Sequence, residues 1–320
     1  MLRYRILVNP TARNGADARW VGGVRAAFAR TDHEIVIPGS FEAMCRAARD
    51  AREDGVDVVV VVGGDGTVNA VANQLVGGPV ALAVVPAGTA NDLARQLGMP
   101  LTPLAACQAI LRGERRAMDV GVVNGQCFLT GGGTGIVSDV AVGIHALKSG
   151  KGLAAWFTRA LGSLAYTLYS AWLIISAPRV AHVLTLRLEG QPPVTGLLLA
   201  MFVNNQPAIG RTVCACPGTQ PDDGSLGWCK LVWTSRLRGL WLAAAMNRGG
   251  AHAELAGVNA GEARELELTA DEPLEFMADG ELLAQASVLR ISVLPASLWV
   301  LAPPQRVGGG WLMEATSKCA

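Results

Sequence analysis

Lysine is scarce in this 320-residue chain, which contains only Lys148, Lys151, Lys230 and Lys318. A P-loop needs a lysine directly after its glycines, so the first 147 residues cannot contain one. The chain also lacks an excess of charge, because its formal net charge is only +1. There is no global basic field that would attract a nucleic-acid backbone, and we expect no nucleic-acid partner.

The first residues do not have the pattern of a secretory leader, and we expect none there. The apolar run in MLRYRILVNP is short, and no small-residue cleavage site follows it. We therefore expect a cytoplasmic protein.

One uncharged stretch, residues 160–177, has 18 residues and just reaches the length of a transmembrane candidate. Glycine and serine dilute it, and a span there would split a β-rich domain across a bilayer. No transmembrane span is expected, and we predict a buried or surface-lying helix. The other interpretation is a helix at a membrane surface, flanked by Lys148, Lys151 and Arg159.

Paired cysteine motifs are also missing. The seven cysteines are an odd number spread over the whole chain. Cys214, Cys216 and Cys229 are near one another, but no CxxC pair and no neighbouring histidine completes a set of four ligands. We expect reduced, structural thiols.

What is present first is an alternation of strand and helix patterns up to about residue 120, typical of a doubly wound α/β domain. The predicted strands are 4–8, 34–37, 58–62 and 81–85, and the predicted helices are 16–30, 41–54, 91–97 and 103–111. Strand-like stretches then dominate, separated by Pro- and Gly-containing turns, which predicts a mostly antiparallel β domain. These stretches are 127–130, 181–188, 196–203, 228–234, 265–268, 274–277 and 287–293. We therefore predict an α/β domain over 1–121 and a β-rich domain over 122–299.

The segment VVVVVGGDGTVNAVANQL, residues 58–75, combines a buried strand, a glycine turn and the start of a helix. Glycines let backbone amides approach an anion, and the helix N-terminus adds the positive end of its dipole. The segment is not a dinucleotide fingerprint, because Asn69 stands where a third glycine would be needed. It predicts a phosphate-binding turn of another kind.

Two further polar turns follow predicted strands. They are NPTARNG, at residues 9–15, and PAGTANDLAR, at residues 86–95. The carboxyl ends of parallel strands meet at one edge of a sheet, where ligands bind. Each turn alone is explained by ordinary turn chemistry, but the three together favour a nucleotide site.

These three motifs resemble the nucleotide-site motifs of the diacylglycerol kinase catalytic-domain family. The resemblance extends to PGTQPDDGSLGWCK at 217–230, to ADGEL at 278–282 and to the strand-like segment 297–303, and it covers roughly residues 2–304. It implies an ATP- and Mg²⁺-dependent kinase that phosphorylates a hydroxyl of a lipid of the diacylglycerol, phosphatidylglycerol or sphingoid kind. It also implies peripheral association with the membrane, and a C-terminal segment, about 300–314, that packs back on the first domain.

The resemblance and the turn geometry together define the candidate nucleotide residues. They are Asn9, Pro10, Thr11, Ala12, Arg13, Ser40, Gly64, Asp65, Gly66, Thr67, Val68, Asn69, Ala70, Gly88, Thr89, Asn91 and Asp92. Residues 64–70 are expected to hold phosphates through backbone amides. Asp65 is expected to act on phosphate through Mg²⁺ or water. The alternative for Asp65 is a turn-forming or helix-capping role.

For the acceptor, the resemblance points to Glu281 as general base and Asp279 as its partner in a water–Mg²⁺ network. The alternative is a plain β-turn at the tip of a hairpin. The resemblance also implies a structural cation, Mg²⁺ or Ca²⁺, held by Gln220, Asp223 and Ser225. A simple turn is again the alternative.

Two departures from the family pattern keep other functions open. Ala70 stands where family members commonly have glutamate, and the segment 204–211, NNQPAIGR, lacks their glycine run. A kinase of a soluble acceptor such as NAD and a catalytically weak nucleotide- or lipid-binding regulator are the alternatives. A homodimer is also left open.

Overall fold

The computed structural model describes residues 1–10, 18–88, 90–150, 161, 164–209, 213–246, 248 and 250–304. This part of the chain forms two compact units. Unit 1 comprises residues 1–120 and 294–304, and unit 2 comprises the described residues between 121 and 293.

Unit 1 alternates strands and helices as the sequence predicts. Its elements are β1 (Arg3–Val8), α1 (Ala18–Phe28), β2 (Asp32–Val36), α2 (Phe41–Arg49), β3 (Val58–Gly63), α3 (Asp65–Leu75), β4 (Ala81–Pro86), α4 (Asp92–Gln96), α5 (Pro103–Leu111) and the first part of β5 (Glu114–Val123).

The strands of unit 1 form a parallel sheet in the order β4-β3-β1-β2. Every residue of β3 and β4 is buried, as expected for valine-rich strands covered on both faces. Val60 pairs with Ile6 on one side and with Ala83 on the other. Because these strands are parallel, β1, β3 and β4 deliver their following loops to the same edge of the sheet.

Helix α3 packs on this sheet through the predicted stripe, since Val68, Val71, Ala72 and Leu75 are all buried. The end of the last strand, β15 (Glu281–Ala302), also belongs to unit 1, where Val300 pairs in parallel with Leu82 of β4.

Unit 2 is a mostly antiparallel sheet with helices, which confirms the predicted fold class. Its further elements are β6 (Gln126–Phe128), β7 (Gly131–Gly135), α6 (Ile136–Ser149), α7 (Leu164–Ser176), β8 (His182–Leu188), β9 (Val194–Asn204), β10 (Ala208–Ile209), β11 (Val213–Cys214), β12 (Leu226–Val232), α8 (Arg236–Met246), β13 (Val258–Ala263) and β14 (Glu265–Ala278). The strand order is β13-β12-β9-β7-β14-β15, and β8 pairs with both β14 and β9.

Alternate residues of β9 serve two apolar clusters on opposite faces of the sheet. Met201 and Val203 join Phe128 and Phe276 in one cluster. Phe202 joins a second cluster that includes residues of α6, α7 and α8. The helices therefore cover one face of the unit 2 sheet.

Three details differ from the sequence-based expectation. The predicted strands 265–268 and 274–277 are one strand, β14, whose register shifts between Thr269 and Leu274. The glycine-rich run Gly131–Gly135 is a buried strand in the middle of the sheet. The uncharged stretch 160–177 contains the helix Leu164–Ser176, while residues 160, 162 and 163 lie outside the described residues. Among the residues that the structure describes, no helix is long and apolar enough to cross a membrane.

Candidate functional site

Asp65 connects two of the three loops at the carboxyl edge of the unit 1 sheet. It is the first residue of α3, after the N-cap Gly64. Its Oδ2 accepts the backbone amide of Asn91 at 2.9 Å, and its Oδ1 accepts the amide of Asp92 at 2.7 Å. Asp65 is therefore a capping residue, as the alternative interpretation holds, but it caps the start of the neighbouring helix α4 rather than its own.

The same two loops meet through glycines. A Cβ added to Gly88 would lie 2.6 Å from the Cα of Gly64, so Gly88 has no room for a side chain, and a Cβ added to Gly64 would be crowded at 3.1 Å from the Cα of Gly88. Asn91 closes the second loop with a left-handed φ of 53°. Its Oδ1 accepts the amide of Gly88 at 2.8 Å, and its Nδ2 donates to the carbonyl of Gly88 at 2.9 Å. The backbones of the two loops are thus held together as one surface free of bulky side chains.

Asn9 links the first loop to this surface. Its side chain donates to the hydroxyl of Thr67 at 2.7 Å, and its amide donates to the carbonyl of Val62 at 3.0 Å. Three other residues of this loop were predicted to border the nucleotide but lie outside the described residues, namely Thr11, Ala12 and Arg13. Thr89 of the second loop also lies outside them.

The predicted phosphate loop, residues 64–70, is shorter than expected because the helix starts at Asp65. The amide of Val68 donates to the carbonyl of Gly64 and is therefore not available to a phosphate. The amides of residues 65–67 precede this first helical bond and are the donors that the N-terminus of α3 offers. Asn69 instead accepts a hydrogen bond from the side chain of Asn73 at 2.8 Å.

Ala70 causes no visible disturbance in this helix. Its carbonyl accepts a bond from the side chain of Gln74 at 3.5 Å. Because alanine is the best helix former, its presence in the second turn is compatible with the bonds that Asp65 makes to the next helix.

A nucleotide phosphate group suits this corner on the observations above. The close contact of Gly64 with Gly88 keeps side chains out of the space between the two loops, and the amides of residues 65–67 precede the first helical bond of α3. Among the described residues, no group of three His, Cys, Asp or Glu is arranged to hold a metal ion. Mg²⁺ is commonly bound by substrate phosphates together with one or two protein carboxylates, and only that kind of binding suits this corner. Asp65 would supply the carboxylate.

Ser40 has a local role in the structure. It is the N-cap of α2, and its hydroxyl oxygen accepts the amide of Ala43 at 3.1 Å. This bond is an ordinary helix cap, so the position of Ser40 is explained without a nucleotide.

In unit 2, Asp279 and Gly280 form a two-residue hairpin turn between β14 and β15. Their φ values are 52° and 83°, and Ala278 pairs with Glu281 across the turn, which describes a type I′ hairpin. The backbone geometry is therefore that of the alternative interpretation, a β-turn at the tip of a hairpin. The turn also does more, because it places a carboxylate over the adjacent loop.

The carboxylate of Asp279 binds the backbone that leads into β7. Its Oδ2 accepts the amide of Leu129 at 2.7 Å, and its Oδ1 accepts the amide of Thr130 at 2.9 Å and the Thr130 hydroxyl. The Gly131 amide lies 3.4 Å away. Asp279 is therefore engaged by protein donors and anchors the backbone before β7, while its role in a water–Mg²⁺ network stays a prediction.

Glu281 differs from Asp279 in its hydrogen bonding and is exposed to solvent. It lies at the first position of β15, and no described residue hydrogen-bonds to its carboxylate. Since the hairpin beneath it is fixed by Asp279, the carboxylate of Glu281 projects from a rigid support.

The predicted cation loop is an Asx turn. The Oδ1 of Asp223 accepts the amide of Ser225 at 2.9 Å and its hydroxyl at 2.8 Å, and the intervening Gly224 has a φ of 77°. These bonds account for Oδ1 without a cation. The remaining donors, the carbonyl oxygens of Gln220 and Ser225 and the other oxygen of Asp223, are all hard oxygen ligands, which suits Mg²⁺ or Ca²⁺.

Sequence reasoning missed Leu129 and Thr130, the partners of Asp279. Thr130 is buried, and its carbonyl accepts the amide of Asn205, which is also buried. The one signal was the glycine run that follows Thr130. A Cβ at Gly132 would lie 2.0 Å from the carbonyl oxygen of Met277, so glycine is required for β14 to approach β7.

A histidine does lie beside the cysteines, although it is distant in sequence. Nε2 of the fully buried His252 lies 3.7 Å from Sγ of Cys229 and 3.2 Å from the carbonyl oxygen of Ala215. Burial raises the pKa of the Cys229 thiol to about 12 and lowers the pKa of His252. These groups are a neutral thiol and a neutral imidazole in the core.

Known proteins share both units. Residues 3–123 match the family described as "Diacylglycerol kinase catalytic domain", and residues 138–302 match the "YegS C-terminal NAD kinase beta sandwich-like domain". A Pseudomonas aeruginosa protein named "Probable lipid kinase YegS-like" is 34% identical over 81% of this chain and 80% of its own length. The "Diacylglycerol kinase" of Bacillus subtilis is 32% identical over 51% of this chain and 56% of its own length.

The fold has solved counterparts. The crystal structure of a diacylglycerol kinase from Bacillus anthracis superposes with a TM-score of 0.70 at 20% identity, covering 94% of this chain and 97% of that one. This likeness concerns the fold, while the sequence matches cover both units. The chain therefore belongs to the diacylglycerol kinase catalytic-domain family, together with the YegS-like lipid kinases.

Proposed function

We propose that this protein is an ATP-dependent lipid kinase that transfers the γ-phosphate of ATP to a hydroxyl of a membrane lipid of the diacylglycerol, phosphatidylglycerol or sphingoid kind. The observation that carries the proposal is the joining of two glycine loops by Asp65, which presents backbone amides on a surface without side chains. Phosphoryl transfer asks a protein mainly for such positioning and for charge neutralisation. The family names of the relatives support a lipid as acceptor.

The nucleotide end of the reaction is assigned to unit 1. The amides of residues 65–67 would bind phosphate oxygens, and the glycines at 64 and 88 would let the phosphates approach the backbone. When bound with ATP, Mg²⁺ supplies neutralisation of the phosphate charge. Asp65 is the carboxylate that would orient it, in addition to its bonds to the α4 amides.

The acceptor end is assigned to Glu281. Its carboxylate accepts the hydroxyl proton while the acceptor oxygen forms a bond to the γ-phosphorus. The bond between that phosphorus and the β–γ bridging oxygen breaks, and ADP leaves with the electron pair of that bond. Asp279 supports this step indirectly by fixing the hairpin from which Glu281 projects.

Transfer of labelled phosphate tests the reaction. The protein is incubated with γ-labelled ATP, Mg²⁺ and a total lipid extract, and we expect label in the organic phase. Label on a soluble acceptor such as NAD would replace the lipid with a small molecule. Intact ATP binding without any labelled product would leave a regulator that binds nucleotide.

Glu281→Gln tests the proposed base. We expect turnover to fall about 10²–10⁴-fold, the usual size of a general-base effect, while ATP affinity is retained. Glu262→Gln is the matched control, because Glu262 is also exposed on a strand of unit 2. Turnover of Glu281→Gln equal to that of the control would remove Glu281 from the mechanism.

We also infer a structural Mg²⁺ or Ca²⁺ at Gln220, Asp223 and Ser225, since all the donors are oxygens. Elemental analysis of the purified, dialysed protein should find one such ion per chain, and Asp223→Asn should reduce its occupancy. A metal-free wild-type protein whose thermal stability does not respond to added Mg²⁺ or Ca²⁺ would reduce this loop to an Asx turn.

A further inference from the structure

Helices α7 and α8 of unit 2 expose a set of large apolar side chains, which we call the apolar face. Leu164, Leu168, Trp172 and Ile175 on α7 are 52%, 52%, 55% and 61% exposed. Their spacing of three or four residues places them on one stripe of the helix. Leu237 and Trp241 on α8 add 82% and 43% exposure at the same spacing.

The two parts of the apolar face adjoin one another. The guanidinium of Arg236, the first residue of α8, donates to the carbonyl oxygens of Ile174, Ile175 and Ala177 at the end of α7. Ile174 and Leu242 also share the buried cluster beneath the helices. The stripe on α7 therefore continues at its C-terminal end into the exposed residues of α8.

This exposure is unusual because α7 is apolar on both sides. Its inner side buries Ala165 and Ile174, yet its outer side carries leucine, isoleucine and tryptophan in place of charged residues. A helix that is apolar all round normally has a second apolar environment to occupy. The 13 residues of α7 extend about 20 Å, which is too short for the hydrocarbon core of a bilayer but long enough to lie along its surface.

The charged side chains on α7 and α8 themselves are of one sign, while Arg179, just after α7, forms an ion pair with Glu272 of β14. The sequence contains no Asp or Glu between Asp139 and Glu189, or between Asp223 and Glu254, and α7 and α8 fall inside these two intervals. Arg238 lies over the ring of Trp241 with its guanidinium carbon 4.2 Å from the ring centroid. An aromatic ring with a cation over its face suits a boundary between hydrocarbon and anionic headgroups.

We propose that the apolar face docks this kinase on an anionic lipid bilayer, with the side chains of α7 and α8 in the acyl boundary and the arginines at the headgroups. The proposal rests on the proposed function, because a lipid kinase must meet an acceptor that stays in the membrane. A second copy of the chain fits less well. A twofold-symmetric dimer would bring Arg236 and Arg238 near their own copies without any acidic partner on either helix.

Vesicle sedimentation tests the docking. Wild-type protein is mixed with vesicles of phosphatidylcholine alone or of phosphatidylcholine with phosphatidylglycerol, and bound protein is measured in the pellet. We expect binding to the anionic vesicles that weakens as salt is raised. Leu168→Ser should lower the partition coefficient about five- to tenfold, from the apolar area that no longer enters the bilayer.

Matched controls separate the face from general surface effects. Leu104→Ser removes a leucine of similar exposure, 56%, from unit 1 and should leave partitioning unchanged. Arg238→Gln should lower binding to anionic vesicles about fivefold and leave binding to phosphatidylcholine unchanged. Equal partitioning of Leu168→Ser and Leu104→Ser would overturn the proposal. So would a change of Leu168→Ser from dimer to monomer in sedimentation velocity with unaltered vesicle binding, since the face would then be a contact between copies.

A separate activity measurement distinguishes this proposal from the proposed function. Turnover is measured on short-chain diacylglycerol, phosphatidylglycerol and sphingoid acceptors in detergent micelles, where docking on a bilayer is not required. Wild-type turnover in Leu168→Ser together with lost vesicle binding supports the face. Vesicle binding without any phosphorylated product would contradict the kinase reaction alone, and turnover without vesicle binding would contradict the face alone.

Discussion

The substitution Asp65→Asn tests whether this carboxylate stabilises the fold or acts only on bound nucleotide and metal. In the structure one oxygen accepts the amide of Asn91 and the other accepts the amide of Asp92. Asparagine retains one acceptor oxygen, but its other terminal group is an NH₂ donor. One of the two amides would therefore lose its partner, and the bond that remains would lose its charge.

The magnitude follows from these two bonds. A hydrogen bond to a charged group contributes about 1.5–3 kcal/mol, and an amide left without a partner costs about 1–3 kcal/mol. Both bonds are part-buried, so water can replace some of the loss. We expect the free energy of unfolding to fall by about 2 kcal/mol, or a Tm lower by about 4–8 °C for a unit of this size.

The assay is urea and thermal unfolding in the absence of nucleotide and metal, followed by ATP titration. Asp32→Asn serves as control, because it makes the same charge change at an exposed position of unit 1. If Asp65 served only metal and phosphate, its neutralisation would leave the apo protein as stable as the control. That result would refute the capping role, and unchanged ATP affinity and rate would refute the nucleotide role.

Two further predictions concern other parts of the fold. Gly88→Ala should lower ATP affinity more than tenfold by calorimetry, because its Cβ would push the two loops apart. Gly22→Ala in α1 is the control, since its Cβ meets no atom within 4 Å and affinity should not change. Equal affinities of the two variants would contradict a phosphate site at the Gly64–Gly88 contact. His252 has a folded pKa below its unfolded value, so its contribution to stability is present above about pH 6.5 and is lost as pH falls from there through the lower folded pKa. Unfolding at pH 7.5 and pH 5.5 should therefore show a smaller acid loss in His252→Gln than in wild type or His33→Gln, and equal losses would contradict it.

The fold of unit 1 could be predicted because its signals are local. The valines of β3 and the spacing of Val68, Val71, Ala72 and Leu75 each specify an element within a few residues, and the parallel arrangement then places the loops at one edge. The partners of Asp65 could not be predicted in this way. They lie 26 and 27 residues away, and only the adjacency of β3 and β4 brings them together.

Unit 2 shows the same limit more strongly. The hairpin turn at Asp279 follows from the Asp-Gly pair, but the amides that its carboxylate accepts are about 150 residues earlier in the chain. The glycine run 131–133 lies outside the predicted strands, because glycines give no pattern of side chains from which a strand could be predicted. In the structure it is required by close packing, since a Cβ at Gly132 or Gly133 would collide with the carbonyls of neighbouring strands.

The two aspartates of the motifs share one physical role, and this bears on where the chemistry lies. Asp65 and Asp279 each accept the backbone amides at the start of another segment. A carboxylate held by such donors is a good anchor, because each of its oxygens already accepts a backbone amide. Glu281 has no described donor and stands beside one of these anchors. The structural contrast therefore favours Glu281 as the residue that takes the proton, with the aspartates fixing the surfaces on which the reaction occurs.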